Sequence, residues 1–289
     1  MTPSPIINMQ IIRTVRQMQS LAEELRKDKR IGFVPTMGYL HEGHLALVRK
    51  ARELADIVVV SVFVNPIQFG PTEDLSRYPR DFDRDGLLLE KEKTDIIFYP
   101  EAADVYPEGY STFVEVKGLE DYLCGKTRSG HFLGVATVVA KLFNMVKPHF
   151  AVFGQKDYQQ LKVIEKMVRD LNMDLTIVPH PTVRENDGLA MSSRNTYLSP
   201  EEREEALLIS ASIRRAQELF KEGERNSAAI VTEVTGMLGS KGGLSVEYVS
   251  ISDADTLEAV DTIKGKAVLA IACRVGKTRL IDNTILMEA

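Results

Sequence analysis

Cysteine is scarce in this chain, with only Cys124 and Cys273 in 289 residues. They stand far apart and form no C-x-x-C or zinc spacing, so a disulfide framework and a structural zinc site are excluded and reduced, buried thiols are expected. Positive charge is not in excess either. A net charge of -5 argues against a nucleic-acid partner, which calls for a basic face. Long apolar runs are missing as well. The longest, Ile57 to Val60 with Val62 to Val64 after Ser61, is far shorter than the roughly 20 residues a membrane helix needs. The start Met1-Thr2-Pro3-Ser4-Pro5 has neither the basic residues nor the apolar stretch of a signal peptide, so a cytoplasmic protein without a membrane partner is expected. The chain shows no internal repeat and no low-complexity segment.

What is present is a globular composition, 44% hydrophobic and 27% charged, over a length that suits one large domain or two ordinary ones. Val15, Met18, Leu21 and Leu25 fall at helical spacing, as do Leu47, Ala51 and Leu54. Apolar runs at Ile57 to Val64, Asp95 to Tyr99, Phe150 to Phe153 and Leu175 to Val178 read as buried parallel strands. Val135 to Val146 keeps helical spacing with Lys141 on its wet side. Leu161, Ile164, Val168 and Leu171 mark another helix, with Asp157 as a candidate cap.

This alternation predicts an α/β fold, a Rossmann-like doubly wound parallel sheet over residues 1–183. Near residue 180 the texture changes. Pro179 and Pro181 should stop regular structure, and Asp187-Gly188 should form a turn. Ser199-Pro200-Glu201-Glu202 then opens a helix with a cap, a proline at the first position and a glutamate three beyond the cap. A helix around Ala228 to Leu238 and strands at Val246 to Ile251, Ala267 to Cys273 and Thr278 to Leu286 complete a smaller C-terminal α+β domain over 184–289. The hinge is expected within Thr182 to Ser193. Gly276-Lys277-Thr278 is no P-loop, because Ile271 stands where the first glycine must be and a strand follows.

Chemistry concentrates at Pro35-Thr36-Met37-Gly38-Tyr39-Leu40-His41-Glu42-Gly43-His44, directly after a strand-like run and at the mouth of a helix. Helix N-termini favour anions through unpaired N–H groups and the helix dipole. Gly38 and Gly43 let the backbone approach closely. A zinc reading fails, since the second histidine falls at i+3 rather than i+4. Three more polar clusters follow strands: Asn65-Pro66-Ile67-Gln68-Phe69, Gly154-Gln155-Lys156-Asp157, and Val183-Arg184 with Met191-Ser192-Ser193-Arg194-Asn195. In an open α/β sheet, ligands bind at the carboxyl ends of strands. Lysine as a point charge, arginine as a planar fork and two hydroxyls suit a polyphosphate, with catalysis by orientation and charge stabilisation.

These residues carry a resemblance. His41-Glu42-Gly43-His44 resembles the H-x-G-H signature of the nucleotidyltransferase superfamily, and Met191-Ser192-Ser193-Arg194 looks like its K-M-S-K-S-type signature in altered form. With Asn65-Pro66-x-Gln68-Phe69, Tyr78-Pro79-Arg80, His131-Phe132-x-Gly134-Val135, Gly154-x-Lys156-Asp157-Tyr158-Gln159-Gln160 and Arg184-x-x-Asp187-Gly188-Leu189-Ala190-Met191, the chain is similar throughout to the pantoate–β-alanine ligase family.

The resemblance implies that ATP and (R)-pantoate form pantoyl-adenylate and pyrophosphate, after which β-alanine displaces AMP. It implies that His41, His44 and Lys156 are catalytic. ATP would be held by Met37, Gly38, Tyr39, Leu40, His41, Glu42, Gly43 and His44, by Gly154, Gln155, Lys156 and Asp157, and by Val183, Met191, Ser192, Ser193 and Arg194. Gln68 and Gln160 would hold pantoate, with Met37, Phe63 and Val138 or Val139 against its methyl groups. Arg128 is a further phosphate candidate. Mg2+ would accompany ATP, bound mostly by phosphates and water. Asp85 is the nearest match to the family's metal-side acid, with Arg84 where some relatives carry another carboxylate. Gly70-Pro71-Thr72-Glu73-Asp74 reads as a closing flap that keeps water from an acyl-adenylate. A homodimer is implied too. The rivals are an adenylyltransferase of the same superfamily and a non-catalytic nucleotide sensor.

Overall fold

The computed structural model describes residues 9–71 and 73–288. The leader reading at Met1 to Pro5 and Thr72 of the expected flap lie outside the described residues. The chain divides into two compact units. The first comprises the described residues up to Val116, with Ser129–Gly154 and Val163–His180. The second comprises Lys117–Arg128, Gln155–Lys162 and the residues from Pro181 onward.

The first unit is built on a six-stranded parallel sheet of β1 (Gln10–Ile12), β2 (Ile31–Thr36), β3 (Ile57–Val62), β4 (Ile96–Phe98), β5 (Phe150–Gly154) and β6 (Thr176–His180). Spatial order is β1-β4-β3-β2-β5-β6. Every residue of β3 is buried, as a strand covered on both faces must be. The helices are α1 (Val15–Leu25), α2 (Glu42–Leu54), α3 (Phe82–Lys91), α4 (Ala102–Val105) and α6 (His131–Val146). The chain runs outward from β2 through β3 to β4, then returns to β5 on the other side of β2. That reversal is the topological switch point where doubly wound sheets bind ligands, and the turn after β2 stands at it.

Local departures from the sequence reading have local causes. Pro179 does not stop the strand: β6 continues to His180 with Pro179 paired to Phe153. β6 is an edge strand, where a missing N–H is tolerated. β1 is three residues long and largely exposed, too short to show a period. α3 is opened by Asp81, whose side chain accepts the Arg84 N–H at 3.1 Å. Lys141, expected on a wet face, has its ammonium 4.2 Å from the Tyr110 ring centroid, and burial pulls its pKa down.

The second unit holds α5 (Leu123–Thr127), α8 (Pro200–Lys221) and α9 (Ser227–Leu238). Its antiparallel meander comprises β7 (Leu244–Asp253), β8 (Ala267–Val275) and β9 (Thr278–Leu286). The Ser199–Glu202 capping box forms as expected: the Ser199 Oγ accepts the Glu202 N–H at 3.1 Å and Glu202 accepts the Ser199 N–H at 2.9 Å. Ile209, Ile213, Ile230 and Val234 pack with Leu269 and Ile271 in the core of this unit. Gly276-Lys277 is the two-residue turn between the paired ends Val275 and Thr278, with Gly276 at φ 54. Helix α7 (Tyr158–Asp170) starts in the second unit and ends in the first. Both cysteines are free and buried. Among the described residues no helix is long and apolar enough to cross a membrane.

Candidate active site

The turn after β2 is bent by two consecutive left-handed residues, Gly38 at φ 80 and Tyr39 at φ 51. Glycine is required at the first: a Cβ there would lie 2.9 Å from Val62 Cγ1. The Thr36 hydroxyl donates to the Ser61 carbonyl at 2.7 Å and accepts the Gly38 N–H at 3.2 Å, tying the turn to β3. His41 occupies the N-cap of α2 in extended conformation. Its N–H donates to Nδ1 of His44 at 3.4 Å, and the two rings lie 4.0 Å apart, tilted by 34°. A ring that accepts through Nδ1 carries its proton on Nε2 when neutral, so the geometry favours an Nε2–H donor on His44.

Asp85 holds this turn from behind. Reaching from α3 and only 1% exposed, its carboxylate accepts the N–H of Tyr39 at 2.6 Å and of Leu40 at 2.7 Å. Arg84 donates to the Leu40 carbonyl at 2.9 Å, and its guanidinium lies 5.0 Å from the Tyr39 ring centroid. Burial pushes the Asp85 carboxyl above its ordinary value, while the two N–H bonds and Arg84 pull it back. Both oxygens are thus engaged by backbone. Among the described residues no group of three or more His, Cys, Asp and Glu could hold a metal ion. The residues around Asp85 do not fit a protein cage for Mg2+.

Gln68 is oriented by its neighbours. Asn65 Nδ2 donates to the Gln68 Oε1 at 3.0 Å and to the Gly134 carbonyl at 3.1 Å. Tyr106 donates to Asn65 Oδ1 at 2.7 Å, and the Gln68 amide nitrogen lies 3.2 Å from Met37 Sδ. Gly134 permits the close approach, since a Cβ there would sit 2.5 Å from the Ile67 carbonyl. Met37 and Phe63, expected against the pantoate methyls, line a cavity of about 250 Å³ with Arg80, Asp85 and Tyr99.

The second unit gathers the cations. Lys156, Arg128 and Arg194 line one small cavity with Asp157, Ser192, Arg279 and Asp282. Lys156 lies in a 3-10 turn, Gln155–Asp157, directly after β5. Asp157 closes that turn just before α7 and is exposed. The loop after Val183 closes on itself: Met191 donates to the Val183 carbonyl at 3.0 Å, and Arg184 bridges to Ala190. Arg184 forms a two-pronged pair with Asp282 at 2.7 and 3.0 Å. Asn195 donates to Glu185 and to the Ala190 carbonyl. Ser192 accepts the Arg194 N–H at 3.3 Å and starts a 3-10 turn in which Ser193 is buried. Gln160, half-buried in the first turn of α7, belongs to this unit, whereas Gly154 and Gln68 belong to the first.

Several supporting residues escaped the sequence reading. Arg279 is bound to Glu247 at 2.8 Å, with Cys124 Sγ 3.5 Å away. Burial opposes its charge, but Cys124 and Glu247 outweigh that, and the guanidinium is held above its ordinary value. Gln159 accepts the Cys124 N–H at 2.9 Å and donates to the carbonyls of Leu119 and Tyr122 at 2.8 and 2.7 Å, binding the segment that ends in Arg128. The signal for Gln159 was its place in Asp157-Tyr158-Gln159-Gln160. Arg279 had none, because an Arg in a strand next to a turn looks like any exposed cation.

The family model for pantoate-beta-alanine ligase matches residues 10–285. The pantothenate synthetase of Thermotoga petrophila is 57% identical over 96% of this chain and 100% of its own length. That of Syntrophus aciditrophicus is 53% identical over 97% of this chain and 98% of its own. The crystal structure of pantothenate synthetase from Thermus thermophilus superposes with a TM-score of 0.92 at 44% identity, covering 97% of this chain and 100% of that one. A pantoate-β-alanine ligase from Francisella tularensis, complexed with β-γ ATP and β-alanine, gives 0.79 at 34% identity over 96% of this chain and 98% of that one. This chain belongs to the pantoate-β-alanine ligase family.

Proposed function

We propose that the chain condenses (R)-pantoate with β-alanine at the expense of ATP. The pantoate carboxylate attacks the α-phosphorus and pyrophosphate leaves; the β-alanine amine then attacks the acyl carbon and AMP is displaced. The observation that carries this reading is that the family match runs through both residue clusters, which supply the cations and imidazoles such a reaction needs. A carboxylate substrate brings its own nucleophile, so the protein's work is positioning and charge stabilisation.

The residue roles follow from chemistry. Met37 to His44 cradle phosphate at the α2 N-terminus, and His44 offers a proton through Nε2. Lys156 neutralises charge that develops on the α-phosphate and bridging oxygen. Ser192, Ser193 and Arg194 hold the β- and γ-phosphates, joined by Arg128, and Arg279 adds a half-buried positive charge to the same wall. Gly154, Gln155 and Asp157 serve the ribose side and the Val183 backbone the adenine, with Met191 beside them. Gln68 and Gln160 bind pantoate, since an amide both donates and accepts. Asp85 is assigned to the turn rather than to a metal. Mg2+ travels with ATP on phosphate oxygens and water. A homodimer working in the cytoplasm completes the proposal.

The test is pyrophosphate release with ATP and pantoate present and β-alanine withheld. A burst of pyrophosphate, followed by pantothenate and free AMP when β-alanine is added, is expected. A product that still retains AMP after β-alanine is added would point to an adenylyltransferase, and ATP binding without pyrophosphate to a nucleotide sensor; either overturns the reading.

A further inference from the structure

We propose that Asn283 is the positioning residue for Lys156. Asn283 lies on β9, 7% exposed, opposite Ala270 of β8. Its Nδ2 donates to the carbonyl of Gln155 at 3.0 Å and to that of Lys156 at 2.8 Å. Those two carbonyls belong to the peptide planes on either side of the Lys156 Cα. Peptide units are planar, so a residue's conformation is the relative rotation of its two flanking planes. Holding both planes sets φ and ψ of Lys156 together, and with them the direction in which its side chain leaves the backbone.

The lysine needs such a hold. Its turn is three residues long, and a 3-10 turn of that length has poor hydrogen-bond geometry. A primary amide suits the task because one nitrogen carries two N–H groups that can reach two neighbouring acceptors. Asn283 is itself fixed: its N–H donates to Asp282 Oδ1 at 2.8 Å, and Asp282 is locked to Arg184. β9 therefore braces the lysine turn through Asn283 and the loop leading to Ser192 through Asp282. A lysine ammonium at the end of four rotatable bonds stabilises developing charge only if its base does not wander.

This inference rests on the charge-neutralising role proposed for Lys156, and the experiment separates the two. Asn283→Asp keeps the shape but removes both donors and faces the carbonyls with acceptors; Asn283→Ala removes the amide; Asn283→Ser leaves one donor at shorter reach. Each is assayed for pyrophosphate release with pantoate, alone and combined with Lys156→Ala, and each is melted to confirm folding. The expected result is a fall in kcat of at least about tenfold for the Asp and Ala variants, less for Ser, with KM for pantoate and ATP within about threefold of the parent. In the Lys156→Ala background, Asn283→Ala should cost less than a further twofold.

Normal turnover in folded Asn283→Ala alongside a crippled Lys156→Ala would overturn the role of Asn283 alone. So would an equal, multiplicative loss in both backgrounds, or a loss confined to KM. Normal turnover in Lys156→Ala would overturn both assignments. Should the Asp variant not fold, the Ala and Ser variants decide.

Discussion

The two units hold their candidate groups in opposite ways. In the first, eight consecutive residues after β2 form the phosphate-ready turn, and backbone geometry does the shaping: two left-handed residues, a helix start and one buried carboxylate, Asp85, accepting two N–H groups. In the second, the cations arrive from four separate stretches, ending in Arg128, starting at Gln155, running from Arg184 to Arg194, and lying on β9. Side chains hold those stretches together: Gln159, Asp282, Asn283 and Asn195 each bind a carbonyl or a partner charge. A local turn tolerates change around it as long as the turn itself is intact. An assembled cluster depends on residues that never touch a ligand.

The largest expected effect asks whether both units serve one reaction. His44→Ala in the first unit and Lys156→Ala in the second should each slow pyrophosphate release by at least ~100-fold, the scale of losing a preorganised donor. Melting temperatures should stay close to the parent, because neither side chain belongs to a core. If one variant turns over almost normally while the other does not, the unit carrying the silent residue is the one misassigned.

The same contrast explains what could be read from sequence. His41 to His44 was legible because strand, glycine turn and helix start are adjacent in the chain, so the pattern is also the structure. The three C-terminal strands were legible as strand-like runs, the last of them with its bounds at Thr278–Leu286. Nothing in the sequence marks Lys117–Arg128 and Gln155–Lys162 as partners of the C-terminal sheet. They join each other and the sheet through bonds spanning 35 to 155 residues, such as Gln159 with Cys124, Asn283 with Gln155 and Arg279 with Cys124, and long-range pairs leave no periodic trace. Asp85 entered through the resemblance, as the nearest match to the family's metal-side acid; only the structure brings it to two backbone N–H groups of the turn, 45 and 46 residues away in the chain.

Asp85→Asn tests how far one residue carries the first unit's turn. The amide nitrogen would face a backbone donor, leaving one buried N–H without an acceptor, a cost of about 1–3 kcal/mol. Denaturant unfolding should show that loss together with slower pyrophosphate release. Unchanged stability would mean that the turn stands without Asp85. A smaller effect is expected from Gln68→Ala, which should raise KM for pantoate by roughly tenfold, the loss of about one net hydrogen bond, and leave KM for ATP near the parent. Equal weakening of both substrates would remove Gln68 from the pantoate site.

The smallest effect tests the second unit's bracing at its edge. Asp187 is bound by Arg203 at 2.5 Å, and Arg203 also binds Glu185 at 2.5 Å, ahead of the loop to Ser192. Partial burial pushes the Asp187 carboxyl up, but the Arg203 bond and the Leu189 N–H outweigh it, so its pKa lies below the ordinary value. A carboxyl depressed on folding stabilises the protein above its unfolded pKa, and that contribution is lost as pH falls through the folded one. Asp187→Asn keeps the Oδ1 that accepts from Leu189 and replaces the Oδ2 that accepts from Arg203 with an amide nitrogen, removing the charge together with its Arg203 hydrogen bonds. It should cost about 0.2–1 kcal/mol at pH 7, the range for partly exposed pairs, and the gap to the parent should narrow as pH falls below the ordinary carboxylate range. A gap of the same size at neutral and acidic pH would show that shape, not charge, holds this end of the loop. The second unit would then rest on the same local geometry as the first.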